Sequence, residues 1–352
     1  MSAVLAAPCG TARPAPGRLP SNRRRTWGLV VAVLVLALLC ALSLAVGTRT
    51  TSLGSVLQAF TGYDPLDTDQ VVVRELRLPR TLLGVLVGAG LGLAGVVMQG
   101  LTRNPLADPG LLGVNAGAAL AVVVGLSVLG IGSTTGQVWL ALVGAAVAAV
   151  VVYGVASFSR GGATPLTLAL AGAAVAAGLA ALTTGVLLTD TATFDQFRFW
   201  QVGALAGRDT GVAAQVAPFL LVGALLALGL GRSLNTLALG ADVARGLGTR
   251  VRTVRAVGAL SVVLLCGAAT AACGPISFVG LTVPHAARVV TGPDHRWMLP
   301  YAMVLAPVLM LAADVLGRVV ARPGEVQVGV LTALVGAPVF VALVRRRRLA
   351  AL

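Results

Sequence analysis

The chain of 352 residues is 57% hydrophobic, 11% charged and 4% aromatic, and its mean hydropathy is +0.93. A soluble domain is usually about 45–50% apolar and about a quarter charged, so this composition excludes a soluble enzyme, a disordered chain and a disulfide scaffold and indicates a multi-pass membrane protein. The net charge of +14 would indicate nucleic acid in a soluble chain, but here it has first to be compared with membrane topology.

The basic residues are unusual, because all 26 are arginine and the sequence contains no lysine. A phosphate-binding loop of the G-x-x-x-x-G-K-[ST] type requires a lysine. If ATP drives transport through this chain, a separate chain has to hydrolyse it.

The amino-terminal residues 1–25 are rich in Pro, Ala, Gly and Arg and have no periodicity. We interpret them as a disordered cytoplasmic tail. The apolar run that follows, about 28–46, is longer than the roughly 7–15 residues of a signal-peptide core. It therefore predicts an uncleaved first membrane helix.

Ten apolar runs approach the roughly 20 residues that a helix needs to cross the bilayer core. The predicted helices 1 to 10 cover approximately 28–46, 81–100, 110–130, 138–157, 165–188, 212–230, 254–273, 275–291, 299–317 and 327–344. The eighth is short and contains Pro275 and Pro284, so we expect it to be kinked or incomplete. The longest loop, about 47–80, is too short for a soluble domain. The sequence therefore predicts an all-α polytopic membrane protein.

The distribution of arginine predicts the topology, because cytoplasmic loops carry an excess of positive charge. With the amino terminus inside and ten alternating helices, 18 of the 26 arginines lie on the cytoplasmic side and 8 outside. The acidic residues divide the opposite way, with 3 inside and 9 outside. The net charge thus reflects topology with both termini cytoplasmic, and no nucleic-acid partner is needed to explain it.

Predicted helix 2 carries a run of glycines at Gly84, Gly88, Gly90, Gly92 and Gly95. The last three spell G-x-G-x-x-G, but a dinucleotide site needs a preceding strand. Small residues let membrane helices approach closely, so we predict a packing role. Predicted helix 5 has a similar face of small residues, which either packs or lines a path.

The helix interiors are nearly free of ionisable groups, which disfavours a proton-coupled or sodium-coupled carrier. Asp314, in predicted helix 9, is the closest exception. It precedes Arg318 by four residues, a spacing that predicts an intrahelical ion pair.

Three outer arginines lie where the excess of positive charge inside is not expected to place them. Arg77 and Arg80 precede predicted helix 2, and Arg318 lies near the outer end of predicted helix 9. Two interpretations remain open. The side chains either extend to the interface from helix ends or form a cationic surface that docks an acidic partner.

The inner loop between predicted helices 6 and 7 contains a short amphipathic segment. Its apolar residues Leu237, Leu239, Val243 and Leu247 follow near-helical spacing. Gly240 and Gly248 bracket the predicted helix, which also carries Asp242 and Arg245. This helix either lies on lipid or inserts into a partner protein.

No metal site is predicted. The four cysteines, Cys9, Cys40, Cys266 and Cys273, form no C-x-x-C pair, and His285 and His295 have no clustered acidic partners. We therefore expect no disulfide, no metal and no cofactor in this chain.

Several motifs resemble the permease subunits of the iron-siderophore and vitamin B12 importer family of ABC transporters. In order, they are RLPR (77–80), MQGLTRNPLADPGLLGVNAGA (98–118), WQVGAL (200–205), LNTLALGADVARGLG (234–248), GPISFVGLTVPHAARVVTGPDHRWMLP (274–300), ADVLGR (313–318) and GEVQVGVLTALVGAPVFVALVRR (324–346). Ser277 departs from the GPIGF version of the family motif. The carboxyl half is most similar to permeases for ferric enterobactin-like catecholate siderophores.

The resemblance implies a permease domain over 26–346 with ten membrane helices in the plasma (inner) membrane, followed by a cytoplasmic tail at 347–352. It also implies a permease dimer, of identical or sister chains, with two ATPase subunits that bind the ATP. An extracytoplasmic siderophore-binding protein delivers the chelate. By position, the resemblance assigns binding-protein docking to Arg77, Arg80 and Arg318. It assigns ATPase coupling, within a loop of about 232–253, to Leu239, Gly240, Asp242, Arg245 and Gly248.

The function expected from this resemblance is ATP-driven import of a ferric siderophore by a non-catalytic subunit. Import of heme or cobalamin in the same family is the first alternative. A proton-coupled carrier would need a protonatable residue at mid-membrane, where only Asp314 comes close. A membrane enzyme would need converging acid, base or metal groups, which the sequence does not contain, and the loop motifs argue against a scaffold.

Overall fold

The computed structural model describes residues 21–47, 51–159 and 164–345, and every regular element within these ranges is helical. The helices are α1 (Asn22–Ala45), α2 (Leu53–Thr61), α3 (Thr68–Val71), α4 (Leu78–Thr102), α5 (Val114–Ser127), α6 (Thr134–Ser157), α7 (Pro165–Thr189), α8 (Thr191–Gln201), α9 (Thr210–Gly229), α10 (Gly231–Ala238), α11 (Ala241–Gly246), α12 (Val251–Cys273), α13 (Val279–Thr291), α14 (His295–Val320) and α15 (Val328–Arg345). A π-helical segment, Val72–Arg77, precedes α4, and a 3₁₀ turn, Pro109–Leu112, precedes α5. The all-α prediction is confirmed.

Each of the ten predicted runs overlaps one helix, namely α1, α4, α5, α6, α7, α9, α12, α13, α14 and α15. Within the described ranges, seven helical stretches are long and apolar enough to cross a membrane, and α5 and α15 are shorter apolar helices. The expected incomplete eighth helix is α13, which has 13 residues and Pro284 inside it. The number that span the membrane, and the side on which the termini lie, stay predictions.

The first helix begins earlier than predicted, at Asn22, so residues 22–25 are helical rather than part of a tail. A contact far along the chain holds this first turn, because the Tyr301 hydroxyl of α14 donates to the Arg25 carbonyl at 2.5 Å. Residues 1–20 of the predicted amino-terminal tail, and the carboxyl-terminal tail 347–352, lie outside the described residues.

Two connecting segments differ from the prediction. The loop predicted over 47–80 contains α2, α3 and the π-helical segment, and α8 was not predicted at all. Predicted helix 3 is divided, because Gly113 adopts φ +72° between the 3₁₀ turn and α5. Helix α8 starts where the Asp190 carboxylate accepts hydrogen bonds from the backbone N–H groups of Ala192 and Thr193.

Helix α4 forms the centre of the bundle, because it packs against α9, α12, α13 and α14. Its glycines lie against neighbouring backbone: Gly88 faces Pro307 of α14, and Gly95 faces the Gly280 carbonyl of α13. The predicted packing role of this glycine run is therefore confirmed. In contrast, most of α1 and α7 is exposed on the surface of the bundle.

We expect Gly95→Ala to destabilise the bundle by about 1–3 kcal/mol, the usual cost of overpacking. A methyl group at this position would meet the Gly280 backbone, which cannot move aside as a side chain does. Gly154→Ala on α6 is the matched control, because nothing lies near the added methyl group there. Thermal unfolding of the detergent-purified protein measures both, and equal midpoints would contradict the close α4–α13 approach.

Candidate functional site

A buried ion cluster joins the start of α4 to the last turns of α14, the helix ends that are predicted to lie outside. Asp314 of α14 has no exposed surface. One of its carboxylate oxygens accepts from Arg80 Nη2 at 2.8 Å, and the other accepts from Arg318 Nη2 at 2.7 Å. The predicted Asp314–Arg318 pair is confirmed. Arg80 is an additional partner that the sequence did not indicate, because it lies 234 residues away.

The cluster extends to the end of α1 and to the loop before α15. Arg80 Nη1 pairs with Glu325 at 2.8 Å. Arg318 Nη1 donates to the carbonyls of Ser43 and Val46, at 2.9 and 3.0 Å. Carbonyls at a helix carboxyl end have no partner within the helix and carry partial negative charge. Arg318 therefore holds the end of α1 against α14.

Arg77 makes a parallel contact with the same helix end. Its Nη1 donates to the carbonyls of Leu44 and Ala45, at 2.7 and 2.8 Å, and to the Thr51 hydroxyl at 2.8 Å. The exposed fractions of Arg77, Arg80 and Arg318 are only 5%, 9% and 3%. The three arginines thus bind within the chain and do not form a raised cationic surface. The docking role predicted for them stays a prediction.

An open cleft of about 620 Å³ lies above this cluster and is large enough to admit a side chain. Its charged lining comprises four arginines and three carboxylates, namely Arg77, Arg80, Arg208, Arg318, Glu75, Asp209 and Glu325. Arg77, Arg80 and Arg318 therefore line the cleft although little of their surface is exposed. The charge of the lining is nearly balanced, and Glu325 occupies the position beside Arg80 that an external carboxylate would need.

We call α10 and α11, with the residues up to Val251, the coupling segment, after the role predicted for it. It lies at the end of the bundle that is predicted to face the cytoplasm. Gly240, at φ +110°, separates α10 from α11, and Gly248, at φ +82°, follows α11. Leu239, Val243 and Leu247 are 61%, 51% and 61% exposed. The predicted short helix between the two glycines is confirmed, but Leu237, assigned to the same face, is buried in the core.

The two charged residues of α11 contact each other. Asp242 and Arg245 form an ion pair at 2.7 Å with both side chains largely exposed. Such a pair contributes little to stability, about 0–1 kcal/mol. The segment thus presents three apolar side chains and a small charged pair on one exposed surface.

The cysteines and histidines contribute no recognisable metal centre in the part of the chain that the structure describes. Cys40, Cys266 and Cys273 are free thiols there, and no group of three or more His, Cys, Asp or Glu residues converges. Cys9 lies outside the described residues.

The match to a family model decides the family, because it covers residues 34–346 and the model is that of the FecCD transport family. The chain belongs to the FecCD transport family. The resemblance inferred from its motifs is therefore confirmed, and the chain is a multi-pass membrane permease of this family.

Three relatives are similar over three quarters or more of their own length. The ferric enterobactin permease FepD of Escherichia coli (strain K12) is 47% identical over 90% of this chain and 94% of its own. The iron(3+)-hydroxamate permease FhuB of Bacillus subtilis (strain 168) is 40% identical over 92% and 85%. The cobalamin permease BtuC of Halobacterium salinarum is 39% identical over 81% and 76%.

A solved structure is similar in fold as well as in sequence. It is an ABC transporter assigned to the metal-chelate type, in an inward-facing conformation. The TM-score is 0.80 at 29% identity, over 92% of this chain and 99% of the other. The relatives are named as permease proteins, and membership of the transport family gives the chain a transport role.

We expect Asp314→Asn to lower the free energy of unfolding by about 3–5 kcal/mol, because it leaves two buried guanidinium groups without their shared carboxylate. Asp195→Asn removes the acid of an exposed pair with Arg198 and is expected to cost at most about 1 kcal/mol. Thermal denaturation of both purified variants checks the difference. Similar losses for the two would show that the Asp314 cluster does not hold the helix ends together.

Proposed function

We propose that this FecCD chain is the permease subunit of an ATP-driven importer for ferric siderophores, with the catecholate type favoured. The single observation that carries the proposal is 47% identity to FepD over nearly the whole chain. Relatives named for hydroxamate and cobalamin transport make other chelates the alternatives. The absence of lysine supports a separate ATPase, since the chain cannot supply a phosphate-binding lysine.

The proposed assembly has ten membrane helices in each permease, with both termini cytoplasmic. It contains two permease subunits, identical or sister chains, two ATPase subunits that bind the ATP, and an extracytoplasmic binding protein. No cofactor is held by this chain. The arginine distribution supports the orientation. The short helix α13 packs against α4 and α14.

The coupling segment is the proposed contact with an ATPase subunit. Leu239, Val243 and Leu247 are exposed, whereas apolar residues are usually withdrawn from water unless a partner or lipid covers them. Gly240 and Gly248 let the chain turn sharply at both ends of α11. Asp242 and Arg245 provide polar groups at the edge of the proposed contact.

The outer cleft is the proposed contact with the binding protein. A carboxylate of that protein would reach Arg77, Arg80 and Arg318 from the cleft. Because Arg80 is already paired with Glu325, docking would replace an internal carboxylate by an external one. Such an exchange conserves charge pairing while it frees the loop that carries Glu325.

Transport itself is proposed to follow alternating openings of the helix bundle, driven by the ATPase subunits. A second cavity, of about 440 Å³, lies between α5, α7 and α8. Asn115, Thr183, Thr184 and Gln201 contribute polar groups to its largely apolar lining. The small residues of α7 are suited to line a transport path, because they offer no strong binding groups to the chelate.

Proteoliposomes containing the complete importer, with ATP inside and the binding protein outside, test the function. We expect uptake of ferric enterobactin that stops when ATP is omitted and continues when an uncoupler collapses the proton gradient. Uptake that needs the gradient and not ATP would overturn the proposal in favour of a proton-coupled carrier. Uptake of cobalamin or heme in preference to ferric enterobactin would retain the importer and change its substrate.

Glu325→Gln is expected to strengthen docking of the binding protein about two- to fivefold, because it removes the internal competitor for Arg80; this factor corresponds to up to about 1 kcal/mol. Asp314 still holds Arg80 in this variant. Glu75→Gln removes a charge from the same cleft and serves as the matched control. The affinity of the binding protein for each variant, measured at two salt concentrations, distinguishes the two substitutions. Weaker docking to Glu325→Gln would contradict the proposed exchange of carboxylates.

A further inference from the structure

A single amide connects the coupling segment to the first residues of α14. Asn235 lies in the middle of α10, four residues before Leu239. Its Nδ2 donates to Asp294 Oδ1 at 2.7 Å. Its Oδ1 accepts from the His295 backbone N–H at 2.8 Å and from His295 Nδ1 at 2.9 Å. Because a backbone N–H can only donate, this network determines which end of the amide is the oxygen.

The groups that Asn235 binds form the start of α14. Asp294 is the N-cap residue, and its carboxylate also accepts from the Arg296 backbone N–H at 3.0 Å. Burial alone would raise the pKa of Asp294, but the hydrogen bonds from Asn235 and Arg296 and the nearby arginines outweigh it and lower that pKa. The carboxylate is therefore held in its charged form, which strengthens the hydrogen bond from Asn235.

The network around Asn235 is held on both sides by buried groups. Leu234 and Leu237 of α10 are in the core. The His295 ring is 4% exposed and lies against Gly100 near the end of α4. Helix α14 does not need Asn235 for capping, because Asp294 already provides the cap. The amide therefore does something that local helix chemistry does not require.

Helix α14 links the two functional regions of the chain. It has 26 residues, which corresponds to about 39 Å at 1.5 Å per residue. Its first turn is bound to α10 through Asn235, and its last turns carry Asp314 and Arg318 of the outer cluster. Apolar contacts between helices allow sliding, whereas directional hydrogen bonds to the helix end resist it.

We propose that Asn235 is a positioning residue that transmits displacement between the coupling segment and the outer cluster, by fixing α10 to the first turn of α14. The proposal rests on the proposed function of the coupling segment as the ATPase contact. Movement of α11 carries α10 with it, and the three hydrogen bonds of Asn235 make α14 follow. Docking at the outer end acts through the same helix in the opposite direction.

An exchange of the two side chains tests this role in the complete importer. Asn235→Asp alone places two carboxylates against each other and removes the Nδ2 donor. The double variant Asn235→Asp with Asp294→Asn restores a donor and an acceptor in reversed order, with the same total charge. Thr26→Ala, which removes an exposed hydroxyl at the same inner end, is the control.

The decisive measurement is the factor by which the binding protein stimulates ATP hydrolysis. We expect Asn235→Asp to lower this factor about fivefold or more, the usual lower range of coupling between two sites, while ATPase-subunit binding and binding-protein affinity stay unchanged. The double variant should return to within about twofold of the original. Thr26→Ala should not change it.

Two outcomes would overturn the inference. In the first, Asn235→Asp lowers thermal stability but leaves the stimulation factor of the folded complex unchanged, as expected for a purely structural residue. In the second, the double variant does not recover. A separate variant, Leu239→Asn with Leu247→Asn, tests the coupling segment itself. If it still binds the ATPase subunit as tightly as Leu239→Met with Leu247→Met, the proposed function of the segment fails, whatever the result at position 235.

Discussion

The structure depends on one carboxylate, that of Asp314, in a bundle that otherwise contains few charges. A lone ionised carboxylate is too costly to bury in an apolar interior. Asp314 is fully buried and is compensated by Arg80 from α4 and Arg318 from its own helix. This shared carboxylate requires the start of α4 and the last turns of α14 to lie together. Arg318 also donates hydrogen bonds to carbonyls at the end of α1 and so holds that helix end beside the cluster.

Close packing along α4 and α14 complements that ion cluster. Gly88 and Gly92 admit the backbone of α14 at Pro307 and Ala302, and Gly95 admits α13. Helix association in a membrane relies on such close approach, because lipid is as apolar as the side chains and supplies little hydrophobic driving force between helices. The glycines set how near the helices come, whereas the Asp314 cluster sets their register. Together they hold α4 and α14 as a closely packed pair.

This pair explains how two distant surfaces belong to one mechanism. The outer cleft is built on residues of α4 and α14, and the start of α14 is bound to α10 beside the coupling segment. A helix with directional contacts at both ends is suited to convert movement at one end into movement at the other. Because Glu325 already pairs with Arg80 in this cleft, the proposed docking would exchange one carboxylate for another. Because the chain belongs to the FecCD transport family, we propose that both surfaces act in transport.

Much of this protein was determined by sequence alone. Its composition indicated a membrane protein, its arginines indicated an orientation, its motifs indicated the family, and the spacing of apolar residues indicated the short helix between Gly240 and Gly248. The i,i+4 spacing also predicted the Asp314–Arg318 pair, because that relation is local to one helix. Only the tertiary structure decided that Arg77, Arg80 and Arg318 are buried, that Arg80 binds Asp314 and Glu325, that Asn235 holds the start of α14, and that Leu237 is in the core. The physical reason is that these contacts join residues up to hundreds of positions apart, and no local pattern of hydropathy or charge specifies which helices become neighbours.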